Sequence, residues 1–166
     1  AGLPGAWTSV EEAKSIFESE EVNTLLTEAY EEAGTVFLGK GYGHNYDLLT
    51  KEPVTSLEDL KTRKIRATSN VAKVLDHFGI PTVYLPAQEL YISMSTGVID
   101  GAIYGGPVEY EQLKLHETAK HYTYLNMLMP GWTATFLANP TKWEALSAEH
   151  RGINEDANAQ SAQATH

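Results

Sequence analysis

The sequence contains no cysteine, which excludes disulfides, thiolate zinc sites and cysteine nucleophiles and leaves the redox compartment open. It is also poor in basic residues, with 12 Lys and Arg against 22 acidic residues and a formal net charge of −10. Nucleic-acid binding depends on clustered Lys and Arg, so no nucleic-acid partner is expected. Finally, no apolar run approaches the roughly 20 residues of a membrane-spanning helix.

What the sequence does contain is enough apolar material for a folded domain. It has 166 residues, of which 42% are hydrophobic, and a domain of this size buries roughly 70% of its unfolded surface. The opening residues, AGLPGAW, have neither the basic nor the apolar region of a signal peptide, and the chain does not begin with methionine. We therefore expect that a preceding segment has been removed or is not included in this sequence.

Local signals in the first third predict helices followed by a strand. Ser9 with Glu12 forms the pattern of a capping box at a first helix, and Ser56 with Asp59 repeats that pattern further along. Between them, EVNTLLTEAYEEAG has helical apolar spacing and ends at Gly34. The following stretch, TVFLGKGYGHNYDLLT, predicts a strand that enters an irregular bend at its glycines.

From Lys64 onward the pattern is regular and predicts β-α-β-α-β-α. The predicted strands are 64–68, 82–85 and 98–104, and the predicted helices are 71–78, 89–96 and a long amphipathic helix after Pro107 with Val108, Leu115, Ala119 and Tyr122 on one stripe. One or two extended segments and a helical tail follow. Such alternation predicts an α/β fold, with a mostly parallel sheet flanked by helices.

The arginine at position 66 stands at the end of the first of these strands. In an open α/β sheet, ligands bind beyond the carboxyl ends of the strands, where the next helix presents unpaired amides. Ser69 and Asn70 are good N-cap residues for that helix. A guanidinium, a hydroxyl and helix-start amides would suit a planar anion such as a carboxylate. The alternative is a surface salt bridge worth only ~0–1 kcal/mol.

Several segments in a fixed order resemble one protein family. SLEDLK followed by KIR, then LPAQELY, GVIDGA, KHYT and TKWEALSAEHR are similar to solute-binding proteins of tripartite ATP-independent periplasmic (TRAP) transporters, of the dicarboxylate-receptor type. The resemblance runs from about Ser9 to the tail. It implies a periplasmic receptor without enzymatic activity, which captures a small organic anion and delivers it to TRAP permease subunits in the membrane.

The resemblance also implies which residues contact the solute. Arg66 matches the arginine of the family's KIR motif, which pairs with the substrate carboxylate in a cleft between two lobes. Ser69 falls at a frequent polar contact, Gln88 on the loop after the second strand, and Tyr104, Gly105 and Gly106 on the loop after the third. Tyr104 offers a ring and a hydroxyl, and Trp132 closes the pocket; ordinary core or hinge packing is the alternative for both.

No metal or other cofactor is expected. Family members that bind 2-oxo acids or lactate through a metal have a segment resembling DAAEW, whereas this chain reads DGAIY and has Ile103 in place of the acidic ligand. HETAKH lacks the histidine spacing of a zinc helix, since position 120 is Lys120. GKGYGHN lacks the last glycine of a dinucleotide fingerprint, since position 44 is His44.

Members of the family are much longer than this chain, so the resemblance predicts a partial receptor. Residues 1–50 would be a remnant of the first lobe and a crossing strand, 51–130 the second periplasmic-binding-protein-like lobe, and 131–166 a return strand and hinge helix. With one lobe incomplete, we expect weak ligand capture and a possible homodimer.

Two other classes of function compete with this interpretation. The first is a small α/β hydrolase or lyase that acts on a carboxylate substrate, with Asp100 or His44 as base. The second is a self-association module, in which the truncated lobe presents uncovered apolar surface and sheet edges. The residues themselves give no positive case for an enzyme, because no nucleophile elbow is present.

Overall fold

A computed structural model describes residues 4–125 and 128–164. The chain forms two compact units. The first consists mainly of Trp7–His44 and the chain from Gly131 onward, and the second of Asn45–Pro130. The chain thus passes from the first unit to the second at 44/45 and back at 130/131.

The helices and strands alternate through most of the chain. The helices are α1 (Val10–Phe17), α2 (Glu20–Glu32), α3 (Leu57–Lys61), α4 (Ser69–His77), α5 (Leu90–Ser95), α6 (Pro107–Gln112), α7 (Pro140–Glu144) and α8 (Ala148–Ala164). The strands are β1 (Val36–Gly43), β2 (Leu48–Thr50), β3 (Ile65–Arg66), β4 (Thr82–Val83), β5 (Gly101–Ile103), β6 (His121–Thr123) and β7 (Trp132–Ala138). Two 3-10 turns lie at Ala87–Glu89 and Leu115–Glu117.

The second unit contains a five-stranded sheet in the order β4-β3-β5-β2-β6. Strand β3 is parallel to both β4 and β5, whereas β2 is antiparallel to both β5 and β6. Four of the five strands therefore run in one direction. The predicted α/β fold with a mostly parallel sheet is confirmed. Strand β2, which the sequence prediction placed in segment 1–50, is a member of this sheet.

Helices cover both faces of this sheet because its strands are apolar on both sides. Leu48 and Ile103 belong to one buried cluster, and their chain neighbours Leu49 and Ala102 belong to the other. This alternation follows from the two-residue period of a strand. Such double coverage leaves the ends of the strands as the places where polar side chains can be presented.

The first unit contains the antiparallel pair β1 and β7, with a register shift between Phe37 and Gly39. The predicted bend at the glycines was wrong, because Gly39, Gly41 and Gly43 all pair with β7. A side chain at position 43 would collide with the indole of Trp132, whose Cε2 lies 2.0 Å from an ideal Cβ built there. Glycine here therefore permits close packing within the sheet.

Two further sequence predictions were wrong at helix boundaries. The long helix after Pro107 ends at Gln112, because Lys114 adopts a left-handed conformation with φ 56°, and Tyr122 lies in β6 instead. Helix α4 begins at Ser69, with Thr68 in extended conformation at the N-cap position. Ser69 and Asn70 are thus the first two helical residues rather than caps.

The other predicted helix signals are largely confirmed. Ser56 and Asp59 form a complete capping box. Ser9 caps α1 by accepting from the Glu12 amide at 3.1 Å, but the Glu12 carboxylate accepts from Thr8 instead of closing the box. Gly34 has the expected positive φ of 77° at the end of α2. Local capping chemistry therefore defines most of the helix starts.

Candidate functional site

The site is built where three neighbouring parallel strands end. Because β3 lies between β4 and β5 in the sheet, the residues that follow these strands meet at one edge. Arg66 is the last residue of β3, Tyr84 follows β4 directly, and Tyr104 follows β5 directly. One cation and two aromatic rings are thereby brought to a common place, the usual binding edge of an α/β sheet.

The Arg66 side chain is held firmly at this edge. Only 3% of the residue is exposed. Its Nε donates to the Leu85 carbonyl at 3.0 Å, and its Nη1 donates to the Ile103 carbonyl at 3.0 Å. Leu85 follows β4 and Ile103 is the last residue of β5, so the guanidinium bridges both neighbours of its own strand. Such double anchoring fixes the plane of the guanidinium before any ligand arrives.

Two tyrosine rings flank this guanidinium. The Arg66 Cζ lies 5.4 Å from the centroid of the Tyr84 ring and 5.1 Å from that of the Tyr104 ring. Both distances are within the range of cation–π attraction. Tyr84 is 64% exposed, whereas Tyr104 is half-buried. The rings therefore stabilise the cation without neutralising its charge.

No carboxylate pairs with Arg66 in the described parts of the chain, where the one Lys or Arg salt bridge joins Lys61 to Glu58. Burial lowers the pKa of Arg66, and Tyr84 and Tyr104 act in the opposite direction. Arginine nevertheless stays protonated in proteins. Because an unpaired buried charge is costly, the site is suited to an anion supplied from outside the chain.

The donors that remain on Arg66 define how such an anion would bind. A guanidinium has five N–H donors, and the bonds to Leu85 and Ile103 use two of them. Among residues 4–125 and 128–164, the other three donors, on Nη1 and Nη2, have no hydrogen-bond partner. Since a carboxylate binds two parallel N–H groups in the guanidinium plane, the terminal edge of Arg66 is the expected point of contact.

The loop after β5 is held by backbone hydrogen bonds, one of them to the buried side chain of Tyr110. The Tyr104 amide donates to the Tyr110 hydroxyl at 3.0 Å. The Gly105 carbonyl accepts from the Asp47 amide at 3.1 Å, and the Gly106 amide donates to Glu109 Oε2 at 2.9 Å, which caps α6. Three consecutive residues of the loop are thus hydrogen-bonded through their backbone.

The other residues predicted to contact the solute occupy varied positions. Ser69 and Asn70 are exposed at the start of α4, and Gln88 is exposed in the 3-10 turn after β4. Trp132 belongs to the first unit, at the start of β7 opposite Gly43. The structure therefore brings Tyr104 to Arg66, while ligand contact by every member of the set stays a prediction.

Sequence reasoning missed three residues that shape this edge: Tyr84, Tyr110 and Asp47. Tyr84 could have been found, because it follows β4 just as Tyr104 follows β5. Tyr110 and Asp47 gave no usable signal. Both are buried, with exposed fractions of 2% and 0%, and their roles depend on contacts between segments far apart in the chain.

Asp100, one of the two bases considered for an enzyme, lies at the opposite edge of the sheet from Arg66. It precedes β5, and its Oδ2 accepts from the Lys64 amide at 2.8 Å, just before β3. This is the structural role of an acceptor for a neighbouring segment. Among the residues that the structure describes, no group of three or more His, Asp or Glu could hold a metal ion.

Solved structures with the same architecture are solute receptors. The chain superposes with a TM-score of 0.88 on a TRAP periplasmic solute-binding protein of Chromohalobacter salexigens, at 23% identity, covering 97% of this chain and 50% of that one. A TRAP solute-binding protein of Sulfitobacter matches with a TM-score of 0.81 at 26% identity, covering 97% and 53%. The fold is that of an extracytoplasmic solute-binding protein.

A protein-family model makes the assignment specific. The model of bacterial extracellular solute-binding protein family 7, DctP, matches residues 3–166, and the chain belongs to this family. The resemblance to TRAP solute-binding proteins is thereby confirmed. Among curated relatives, the ectoine-binding periplasmic protein TeaA of Halomonas elongata is 33% identical over 145 residues, which cover 84% of this chain and 41% of TeaA.

A second relative is the monocarboxylate 2-oxoacid-binding periplasmic protein of Nostoc sp., 33% identical over 103 residues, which cover 62% of this chain and 28% of that protein. The chain thus spans less than half the length of either relative. In residues 4–125 and 128–164, no helix is both long enough and apolar enough to cross a membrane.

Proposed function

We propose that this chain is part of a periplasmic receptor that binds a small organic carboxylate at Arg66 and delivers it to the permease subunits of a TRAP transporter. The observation that carries the proposal is the buried Arg66 guanidinium, anchored by two backbone carbonyls and without a carboxylate partner in the described residues. A receptor for an anion requires such a pre-positioned, uncompensated cation.

The ligands of similar proteins agree with a carboxylate but do not select one. Solved relatives contain bound β-D-galacturonate, D-glucuronate and malonate, all carboxylates. The Chromohalobacter salexigens structure with the TM-score of 0.88 contains (S)-2-amino-1-propanol, which has no carboxylate. This amino alcohol is therefore the informative negative probe, because it cannot form the carboxylate pair that Arg66 offers.

The remaining predicted residues are proposed as secondary contacts. The exposed Ser69, Asn70 and Gln88 lie on the segments that follow β3 and β4, where their polar groups would reach other parts of the solute. Tyr104 and Gly105 would supply a ring and close backbone approach. Ligand contact by Trp132 stays a prediction of the family resemblance, and no metal is required in this scheme.

A carboxylate panel tests the proposal. The intact receptor that contains this chain is titrated calorimetrically with D-galacturonate, D-glucuronate, malonate, pyruvate, ectoine and (S)-2-amino-1-propanol. We expect at least one carboxylate to bind and the amino alcohol to bind at least tenfold more weakly than that carboxylate, because it cannot pair with the guanidinium. Binding of the amino alcohol alone would contradict the proposal.

The same samples distinguish a receptor from the hydrolase or lyase considered above. A receptor should return its ligand unchanged, so mass spectrometry after prolonged incubation is expected to show each carboxylate intact. Formation of a hydrolysed or eliminated product at a rate proportional to protein concentration would favour the enzyme. Periplasmic location and permease contact are proposals that follow from the family, and a homodimer is a proposal that follows from the incomplete lobe.

A further inference from the structure

We propose that Tyr110 is a positioning residue for the Arg66 site, and that its hydroxyl acts by fixing the backbone of Tyr104. The inference rests on the proposed function, in that the site it positions is the carboxylate site. Tyr110 does not contact the Arg66 guanidinium through a described hydrogen bond or ring contact. Its effect on a ligand would therefore pass through Tyr104.

The Tyr110 hydroxyl is both an acceptor and a donor of hydrogen bonds. It accepts from the Tyr104 amide at 3.0 Å. Its single hydrogen has two acceptors in reach, the Asp47 carbonyl at 2.6 Å and the Ala102 carbonyl at 2.9 Å. Since a hydroxyl donates one hydrogen, the nearer Asp47 carbonyl is the expected partner. The hydroxyl thereby joins the loop after β5 to the segment before β2.

The Asp47 end of this connection is itself immobilised. Asp47 is fully buried, its Oδ2 accepts from the Tyr122 hydroxyl at 2.6 Å, and its Oδ1 accepts from the Leu125 amide at 2.8 Å. The Asn45 side-chain amide also donates to Oδ2. The Asp47 backbone amide holds Gly105 at 3.1 Å. Tyr104 and Gly105 are therefore both connected to the backbone of Asp47, Tyr104 through the Tyr110 hydroxyl and Gly105 by a direct hydrogen bond.

Tyr110 is placed to transmit this rigidity without taking part in binding. The residue is 2% exposed, and its ring lies in the core cluster with Leu49 and Ala102. A phenylalanine would fill the same space, so only the hydroxyl distinguishes the two side chains. Burial raises the pKa of Tyr110, which keeps the hydroxyl protonated and able to donate. Tyr104 then presents its ring to Arg66 at 5.1 Å.

Hydrogen exchange by NMR tests the inference in the full chain without a ligand. In Tyr110→Phe, we expect the Tyr104 amide and the Arg66 Nε–H to exchange at least tenfold faster. The Tyr104 amide loses its acceptor, and the Arg66 guanidinium loses the fixed position of the neighbouring Tyr104 ring. The Ile65 amide, bonded to the Pro81 carbonyl at 3.0 Å at the far end of β3, should be unchanged. Tyr42→Phe, in the first unit, is the matched control and should alter none of these signals.

A double-mutant cycle separates positioning from general loosening of the core. In a Tyr104→Ala background, Tyr110→Phe should have no further effect on Arg66 Nε–H exchange. An equal effect in both backgrounds, or faster exchange at Ile65, would overturn the inference. Malonate and D-glucuronate titrations of the same variants test the proposed function separately, because the exchange result stands whether or not either anion binds.

Discussion

Replacing Arg66 by alanine is expected to weaken binding of a small carboxylate more than tenfold. A charge-assisted hydrogen-bonded pair contributes about 1.5–3 kcal/mol, and the ligand carboxylate would lose that partner. The two carbonyls of Leu85 and Ile103 would also lose their donors. Isothermal titration with the carboxylate that binds most tightly to the unmodified protein measures the effect.

Arg63 supplies a matched control for this experiment. Like Arg66 it donates to two backbone carbonyls, those of Glu52 at 2.6 Å and Pro53 at 2.9 Å. It precedes β3, whereas Arg66 ends that strand, so it lies toward the other edge of the sheet. Arg63→Ala should leave affinity unchanged, and equal losses in both variants would show that the effect is one of overall charge or stability.

Replacing Gly101 by alanine is expected to lower the free energy of unfolding by about 3 kcal/mol, at the upper end of overpacking costs. An ideal Cβ at position 101 would lie 2.6 Å from Thr50 Cγ2 and 2.8 Å from the Leu49 carbonyl oxygen. The carbonyl belongs to the paired strand β2 and cannot yield as a flexible side chain would. The result would be separation of β2 from β5 where β5 begins.

Gly152→Ala makes the same chemical change in open space. Nothing lies within 4 Å of a Cβ at position 152, which is inside helix α8. Alanine should stabilise there by roughly 0.5–1 kcal/mol, because it restricts the unfolded chain and favours helix. Urea unfolding monitored by circular dichroism gives both values. A Gly101→Ala variant as stable as the unmodified protein would contradict the described strand packing.

The regular part of the fold could be predicted because its signals are local and mutually consistent. Short apolar runs alternate between positions 64 and 104, and Gly79, with its φ of 74°, follows the end of helix α4. Each predicted strand and helix of this stretch is present, with its ends shifted by a few residues. Apolar spacing alone was misleading after Pro107. Leu115 and Ala119 are buried as that stripe requires, yet a left-handed Lys114 interrupts the helix between them and Pro107.

In the candidate site, too, the features that depend on local sequence could be predicted, and those that depend on contacts between distant segments could not. Arg66 and Tyr104 could be placed at one edge because parallel strands end together, and that rule needs only strand order. The bonds to Leu85 and Ile103 required the actual backbone positions. Tyr110 was out of reach, because its hydroxyl connects residues 63 positions apart in the chain.

The acidic composition of the chain gives the site its electrostatic character. A formal net charge of −10 repels anions at long range, so attraction has to come from a nearby, partly desolvated cation. Burial of Arg66 reduces competition from water and strengthens its interaction with a bound carboxylate. Added salt should therefore weaken binding less than it would at an exposed arginine, where screening is stronger.

A crystal structure of the intact protein with its carboxylate bound is the most direct test of the central claim. We predict that both carboxylate oxygens lie about 2.7–2.9 Å from the Nη1 and Nη2 nitrogens of Arg66, with the Tyr84 and Tyr104 rings on either side. A carboxylate bound elsewhere, with the Arg66 guanidinium paired to an acidic side chain of the protein itself, would contradict it.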